Sequence, residues 1–487
     1  MKNNILCKKN ICFLIYTALT TIALTMGYVF SDINRFATGF GLIIIGIALY
    51  LCLVFSVADK NWLDIRAVFH AVWITTIGLA ALRLTNFQEQ WQVKTWICLA
   101  LAYLMFQIGS HFGIALGEPL YNKIKTRFQN RKVWKIGFEA KENRYFWICV
   151  ITTLIGLLCF SINVAIRGYI PCFSSNTNAY IEFYTKFHIF SVAATGVSGF
   201  CYYCIATQKL SKVKKVILAL CILYATFLFP TMVVSRGVFL ASALALTVTA
   251  FYIHKKKFLV LVGCLAIIVS IYYGTSILRN YTDEQLDFFF EPSKIDLNLD
   301  DPSEDNNVSS DLPEDNDESL NPSDDGTEKT FSLHPKVAFI YSYLTVSHDN
   351  FNEAVENSTE YTYGIHQFAP FNTIFRIDWV DKQLEKSEYF LVRPHLNTVN
   401  LIGYFYYDLH VWGVAIFTLL WAFVFGILQK IAEISKTPFV LLALGNAMIP
   451  VALCFFTAWM SIFSQWMLWG VVLIFAVAST IKLESNK

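Results

Sequence analysis

The chain has 487 residues, of which 55% are hydrophobic, 16% aromatic and 15% charged, whereas soluble domains carry about a quarter of their residues as charges. Apolar runs of about 18 residues or more recur along most of the sequence, each long enough to cross a bilayer core. A water-soluble fold is excluded, and the chain reads as an all-α polytopic integral membrane protein. Its net charge of +2 identifies no partner until the charges are assigned to the two sides of the membrane.

The first apolar run, 11–30, has the length of a span and lacks a small-residue cleavage site, so it reads as the first transmembrane helix rather than a signal peptide. Further spans are expected at 40–57, 67–83, 95–116, 145–166, 187–207, 216–234, 237–253, 258–276, 401–428, 438–456 and 466–481, about twelve in all. Placing both termini in the cytoplasm puts 24 of the 38 Lys and Arg in cytoplasmic segments, against six in short external ones. Short loops decide orientation, so this asymmetry fixes the topology.

The same topology divides the chain into helices one to nine (1–277), a large external loop (278–399) and helices ten to twelve (400–487). The loop carries 25 of the 36 acidic residues. Within it, 295–328 holds thirteen Asp and Glu and no Lys or Arg, a composition expected to remain disordered because it buries too little apolar surface to offset its ordering entropy. Asp296, Asn298 and Asp300 alternate as in a calcium loop, but Asp301 stands where an EF-hand requires Gly. The second half of the loop is aromatic and is expected to form short helices on the membrane surface.

Of the twelve cysteines, Cys172 alone falls in an expected external loop, so no external disulfide pair is available. Cys201 and Cys204 have C-x-x-C spacing inside a span, a pattern that indicates metal or redox chemistry only beside a second pair. No Walker, Rossmann, H-E-x-x-H or G-x-S-x-G pattern is present, and neither a cofactor nor a metal is expected.

Arginine placement is more informative. Cytoplasmic cations comprise 20 Lys and 4 Arg, whereas the external ones comprise 7 Lys and 7 Arg, among them Arg236, Arg279, Arg376 and Arg393. A guanidinium grips phosphate bidentately and is weakly hydrated, so these four are candidate diphosphate-binding residues. Arg236 sits at the tip of a tight hairpin between two spans, at or below the outer interface, where a charge marks a functional position. A second cluster runs from Arg393-Pro394-His395 through Asn397-Thr398-Val399-Asn400 to Tyr407-Asp408-Leu409-His410-Val411-Trp412-Gly413. His395 and His366, both external, are candidate general bases. Asp408 is a candidate to orient a histidine or bind an arginine.

The Val234-Ser235-Arg236-Gly237 hairpin, the external Arg279 and the Asn397–Gly413 stretch together resemble the oligosaccharide repeat unit polymerases, the Wzy-type O-antigen polymerase family. The resemblance implies a GT-C-like, metal-independent glycosyltransferase of the bacterial inner membrane with a periplasmic active site. It implies polymerisation of undecaprenyl-diphosphate-linked oligosaccharide repeat units into O-antigen or a related surface polysaccharide of lipopolysaccharide biosynthesis. The implied partners are those lipid-linked oligosaccharides, the bilayer, and a chain-length regulator and flippase of the same pathway, with no nucleic acid. In this reading Arg236 and Arg279 hold the departing diphosphate, Arg376 and Arg393 grip the second one or an acidic sugar, and His395 or His366 deprotonates the acceptor hydroxyl. Alternatives are a lipid-linked glycan flippase or exporter and an O-antigen ligase. Polar residues clustered on one face rather than at mid-membrane favour the enzyme over the transporter.

Overall fold

The computed structural model describes residues 2–85, 87–130, 142–174, 182–278, 335–386, 389–393 and 396–480, and among them all regular structure is helical. In chain order the helices are α1 Lys2–Ile33, α2 Arg35–Ser56, α3 Ile65–Ala81, α4 Val93–Asn130, α5 Glu142–Arg167, α6 Lys186–Thr207, α7 Lys212–Met232 and α8 Arg236–Ile253. There follow α9 Lys257–Leu278, α10 Pro335–Asn357, α11 Ile365–Phe375, α12 Asp378–Lys386, α13 Gly403–Ser435, α14 Pro438–Ala452 and α15 Phe463–Thr480.

Eight of these, α1, α2, α4, α5, α6, α7, α8 and α13, are long and apolar enough to cross a membrane. The chain is thus an α-helical multi-pass membrane protein. The other four expected spans fall on α3, α14 and parts of α9 and α15, apolar helices of 10–17 residues. The acidic tract at 295–328 and Arg279 lie outside the described residues.

Local chemistry sets the helix ends. Asn34 caps α2 by accepting from Ala37 N, and Asp64 caps α3 by accepting from Arg66 N, each satisfying an amide that has no intrahelical partner. Packing between spans relies on small residues, because lipid offers no hydrophobic drive for helix association and close backbone approach must supply it. The tightest pair is α4 with α13. A Cβ on Gly109 would lie 2.4 Å from Leu419 O, one on Gly113 2.2 Å from Phe423 O, and one on Gly117 2.6 Å from the Lys430 side chain. This Gly-x-x-x-Gly-x-x-x-Gly face on α4 therefore seats α13, the helix that carries Asp408.

The aromatic half of the large loop departs from expectation in its first segment. The second segment carries the short helices α11 and α12, but α10 runs for 23 residues and packs against α3, α4 and α13. Its Ser347-His348-Asp349-Asn350 run is buried because each polar group finds a partner. His348 Nε2 meets Thr76 Oγ1 at 3.1 Å and its Nδ1 receives Asn400 Nδ2 at 3.1 Å. Asp349 accepts from Gln88 Nε2 at 2.9 Å and Trp91 Nε1 at 2.8 Å. Asn350 donates to the Leu396 and Thr398 carbonyls at 2.5 and 2.7 Å. A buried polar network of this kind fixes one arrangement of the loop over the helix ends.

Candidate functional site

Helix α13 is interrupted just after Asp408: Leu409 (φ −145°, ψ 23°) and His410 (φ 49°, ψ −135°) leave the helical region. The break releases carbonyls from their intrahelical bonds, and the loop before α11 supplies new donors. Thr362 N reaches Tyr407 O at 3.1 Å and Tyr363 N reaches Asp408 O at 3.0 Å. Beyond the break the chain folds close against itself, and a Cβ on Gly413 would fall 1.9 Å from Phe405 O. Only glycine fits there.

The break aims the Asp408 carboxylate at the N-terminus of α11, where unpaired amides favour an anion. Asp408 Oδ1 accepts from His366 N at 3.0 Å and Thr362 Oγ1 at 2.7 Å, and Oδ2 accepts from Gln367 Nε2 at 3.2 Å. The same Oδ1 lies 3.1 Å from His366 Nδ1. Asp408 is 0% exposed and His366 2%. The carboxylate thus fixes the ring so that Nδ1 carries the proton and Nε2 the lone pair. Nε2 is buried and has no hydrogen-bond partner.

Around this imidazole stand three tyrosines. Tyr404 stacks on it at 5.1 Å between centroids and 11° between planes, with Tyr407 at 5.7 Å and Tyr389 at 5.9 Å. Gln367 Nε2 also reaches Ser461 Oγ at 3.4 Å, joining α11 to the Trp459–Ser461 turn before α15.

Of the residues the sequence singled out, His366 and Asp408 are brought together. His395 and Arg279 fall outside the described residues. Arg236 opens α8 after a turn in which Val234 is held at φ 52°, a conformation that strains a β-branched residue. Arg236 is 7% exposed, and its guanidinium lies over the rings of Tyr343 and Phe339 of α10, at 5.1 and 5.9 Å. Arg376 is exposed at the C-terminus of α11, and Arg393 is half-buried in the segment leading to Asn397. Thr362, Gln367, Ser461 and Tyr389 were not singled out from the sequence, whereas Tyr404 and Tyr407 belong to the aromatic stretch that leads into Asp408. Thr362, four residues before His366, carried the clearest local signal.

Two further cavities are present, one near this arrangement and one remote from it. One, of about 300 Å³, lies beside the Trp459–Ser461 turn and is lined by Ser235, Gly237, Asn397, Thr398, His188 and Trp459, among others. The other, of about 850 Å³, lies at the opposite ends of α3 and α13. There Arg66 donates to both Asp64 oxygens at 2.9 and 2.7 Å, and Gln429 Nε2 bridges Asp64 and Glu433 at 3.0 and 3.1 Å. Asn61 Nδ2 adds bonds to Glu433 at 3.0 Å and to Tyr252 Oη at 3.2 Å. These groups satisfy one another.

No protein-family model, no curated protein and no solved structure matches this chain.

Proposed function

We propose that the chain is a polysaccharide polymerase of the Wzy type, transferring a growing glycan from its lipid diphosphate to the terminal sugar of a new lipid-linked repeat unit at the outer face of the bacterial inner membrane. The observation that carries this reading is the His366 imidazole, with Nδ1 fixed on the buried Asp408 carboxylate and Nε2 unpartnered inside a cage of tyrosines. A ring held in that tautomer is a general base awaiting a hydroxyl, and the carboxylate stabilises the imidazolium once the proton has moved.

The step that fits is attack of an acceptor hydroxyl on the anomeric carbon of the donor sugar. His366 Nε2 takes the hydroxyl proton, the new C–O bond forms, and the bond to the lipid diphosphate breaks with its electron pair going to the departing phosphate oxygen. Aromatic rings give sugar faces an apolar platform, and Tyr404, Tyr407 and Tyr389 supply one beside the base. Arginine is suited to the departing diphosphate, whose growing charge needs stabilisation. Arg236 beside the smaller cavity, Arg376 at the end of α11 and Arg393 in the segment beside α10 are assigned that role together with Arg279, while His395 stands as the alternative base. The architecture is assigned twelve spans and a GT-C-like organisation.

The test is deletion of the gene followed by analysis of the cell-surface glycan. A polymerase deficit leaves single repeat units attached to their final acceptor. A ligase deficit instead accumulates long lipid-linked polymer, and a flippase deficit traps single lipid-linked units on the cytoplasmic side. Either of the last two patterns overturns the proposal.

A further inference from the structure

His188 is 2% exposed, and neither of its ring nitrogens has a hydrogen-bond partner. It sits near the start of α6, with its ring against Tyr184 at 4.3 Å, Phe183 at 5.8 Å and Phe229 at 6.0 Å. Trp459, 8% exposed, also has an unpartnered Nε1. Both residues line the 300 Å³ cavity, to which Ser235, Asn397 and Thr398 add hydroxyl and amide groups. Buried polar atoms are nearly always paired, so three of them around one cavity mark a place where a ligand supplies the bonds.

The chemistry of the lining narrows the ligand. None of the described residues lining the cavity is charged, which argues against a phosphate or carboxylate. An acyl chain would leave all three polar atoms unpaired. A neutral imidazole offers one donor and one acceptor, and the indole offers one donor. A ring of hydroxyls answers all three, because each hydroxyl both donates and accepts, and its C–H faces suit the Trp459 and Tyr184 rings. At about 300 Å³ the cavity is at the small end for ligand pockets, sized for a single ring rather than a chain. The Trp459–Ser461 turn separates it from Gln367, which is bonded to Asp408.

We infer that this cavity is a subsite for one neutral sugar ring, with His188 and Trp459 as its hydrogen-bonding partners. The inference rests on the glycosyl-transfer reading for the source of the sugar. It adds that His188 positions the glycan and takes no proton in the reaction, so that sugar identity is read on the α6 side and chemistry is done at His366.

The test uses the full chain in nanodiscs and saturation-transfer NMR with a panel of methyl glycosides: glucose, galactose, rhamnose, N-acetylglucosamine, N-acetylgalactosamine and, as the anionic member, glucuronate. At least one neutral glycoside is expected to bind, and glucuronate to bind more weakly. His188→Phe and Trp459→Phe keep the rings and remove the bonding atoms. Each should weaken binding by about tenfold, the loss of one or two hydrogen bonds, and His188→Gln should restore part of it. If His188→Phe fails to fold, Trp459→Phe decides. Absence of neutral-sugar binding by the unmodified chain, preference for glucuronate, or undiminished binding by both Phe variants would overturn the inference. Sugar binding in a chain whose deletion leaves polymer unchanged removes the polymerase reading and keeps the subsite. Polymerisation that depends on His366 but proceeds unaltered in both Phe variants does the reverse.

Discussion

His366 and Asp408, 42 residues apart in the chain, meet at 3.1 Å because the helix carrying Asp408 is broken at the two residues that follow it. An unbroken α13 would keep the Tyr407 and Asp408 carbonyls inside its own ladder, and the loop at 362–363 would have nothing to hold. The dyad and the break are therefore one feature.

Replacement of Asp408 should separate its two roles. Asp408→Asn keeps the shape but offers an amide in place of the anion. On the proposed glycosyl-transfer role, long-chain polymer should fall by about 10²- to 10⁴-fold, the range for losing a general base or its orienting partner, with membrane levels little changed. Asp408→Ala also orphans the donors on Thr362, His366 and Gln367, at about 1–3 kcal/mol for each buried group, and should lower protein levels as well. Polymer length on gels and immunoblots of membranes measure the two effects.

At Gly413 an alanine would put its Cβ against the Phe405 carbonyl, which is backbone and cannot swing away. Gly413→Ala should displace the break and abolish polymer, whereas Trp412→Ala, one residue earlier and 73% exposed, should be tolerated. An active Gly413→Ala variant would show that this geometry is not needed.

Neighbouring His348 and Asp349 should oppose one another in the pH dependence of stability. Burial pushes the His348 imidazole down to about 3, while burial, partly countered by bonds from Gln88 and Trp91, pushes the Asp349 carboxyl up to about 7. The histidine's contribution is present above its unfolded value of about 6.5 and is lost as pH falls towards 3. That of the carboxyl is present below its unfolded value of about 3.9 and is lost as pH rises through 7. Between about pH 4 and 6.5 the two slopes cancel. His348→Gln should make the purified protein melt higher as pH falls through that window, and Asp349→Asn should make it melt lower. Parallel slopes in the two variants would contradict the assignment.

The pair of Asp64 and Arg66 is buried on both sides, at 2.7 Å. Removing either partner leaves an uncompensated charge, and Asp64→Ala or Arg66→Met alone should cost about 3–5 kcal/mol, whereas the double variant should recover much of that loss. Thermal unfolding in detergent reads the difference.

Eight of the expected spans were legible because a bilayer imposes one length and one composition, and the other four apolar runs fall on shorter apolar helices. Less legible was the large loop. The aromatic richness of 331–344 suggested a short helix on the membrane surface. The side-chain partners that hold His348 and Asp349, namely Thr76, Asn400, Gln88 and Trp91, lie at distant points of the chain. In the candidate site, Asp408 and His366 were both readable as chemistry, but nothing in one sequence joins them across 42 residues. His188 was hidden for the opposite reason: an imidazole near the end of an apolar run looks like any other interfacial residue until its nitrogens are seen without partners.

The glycine face of α4 has a consequence for how the protein is made. Its partner helix begins about 270 residues after α4 ends, so during synthesis Gly109, Gly113 and Gly117 are made long before the helix that packs on them. Only when α13 has been inserted can that face close, and with it Asp408 reaches the N-terminus of α11. Asp408 is thus the later-made member of the pair, and a chain that stalls before α13 is a membrane protein in which His366 lacks its carboxylate partner. Two separately translated halves, divided in the acidic stretch between α9 and α10, retain every helix needed for that closure.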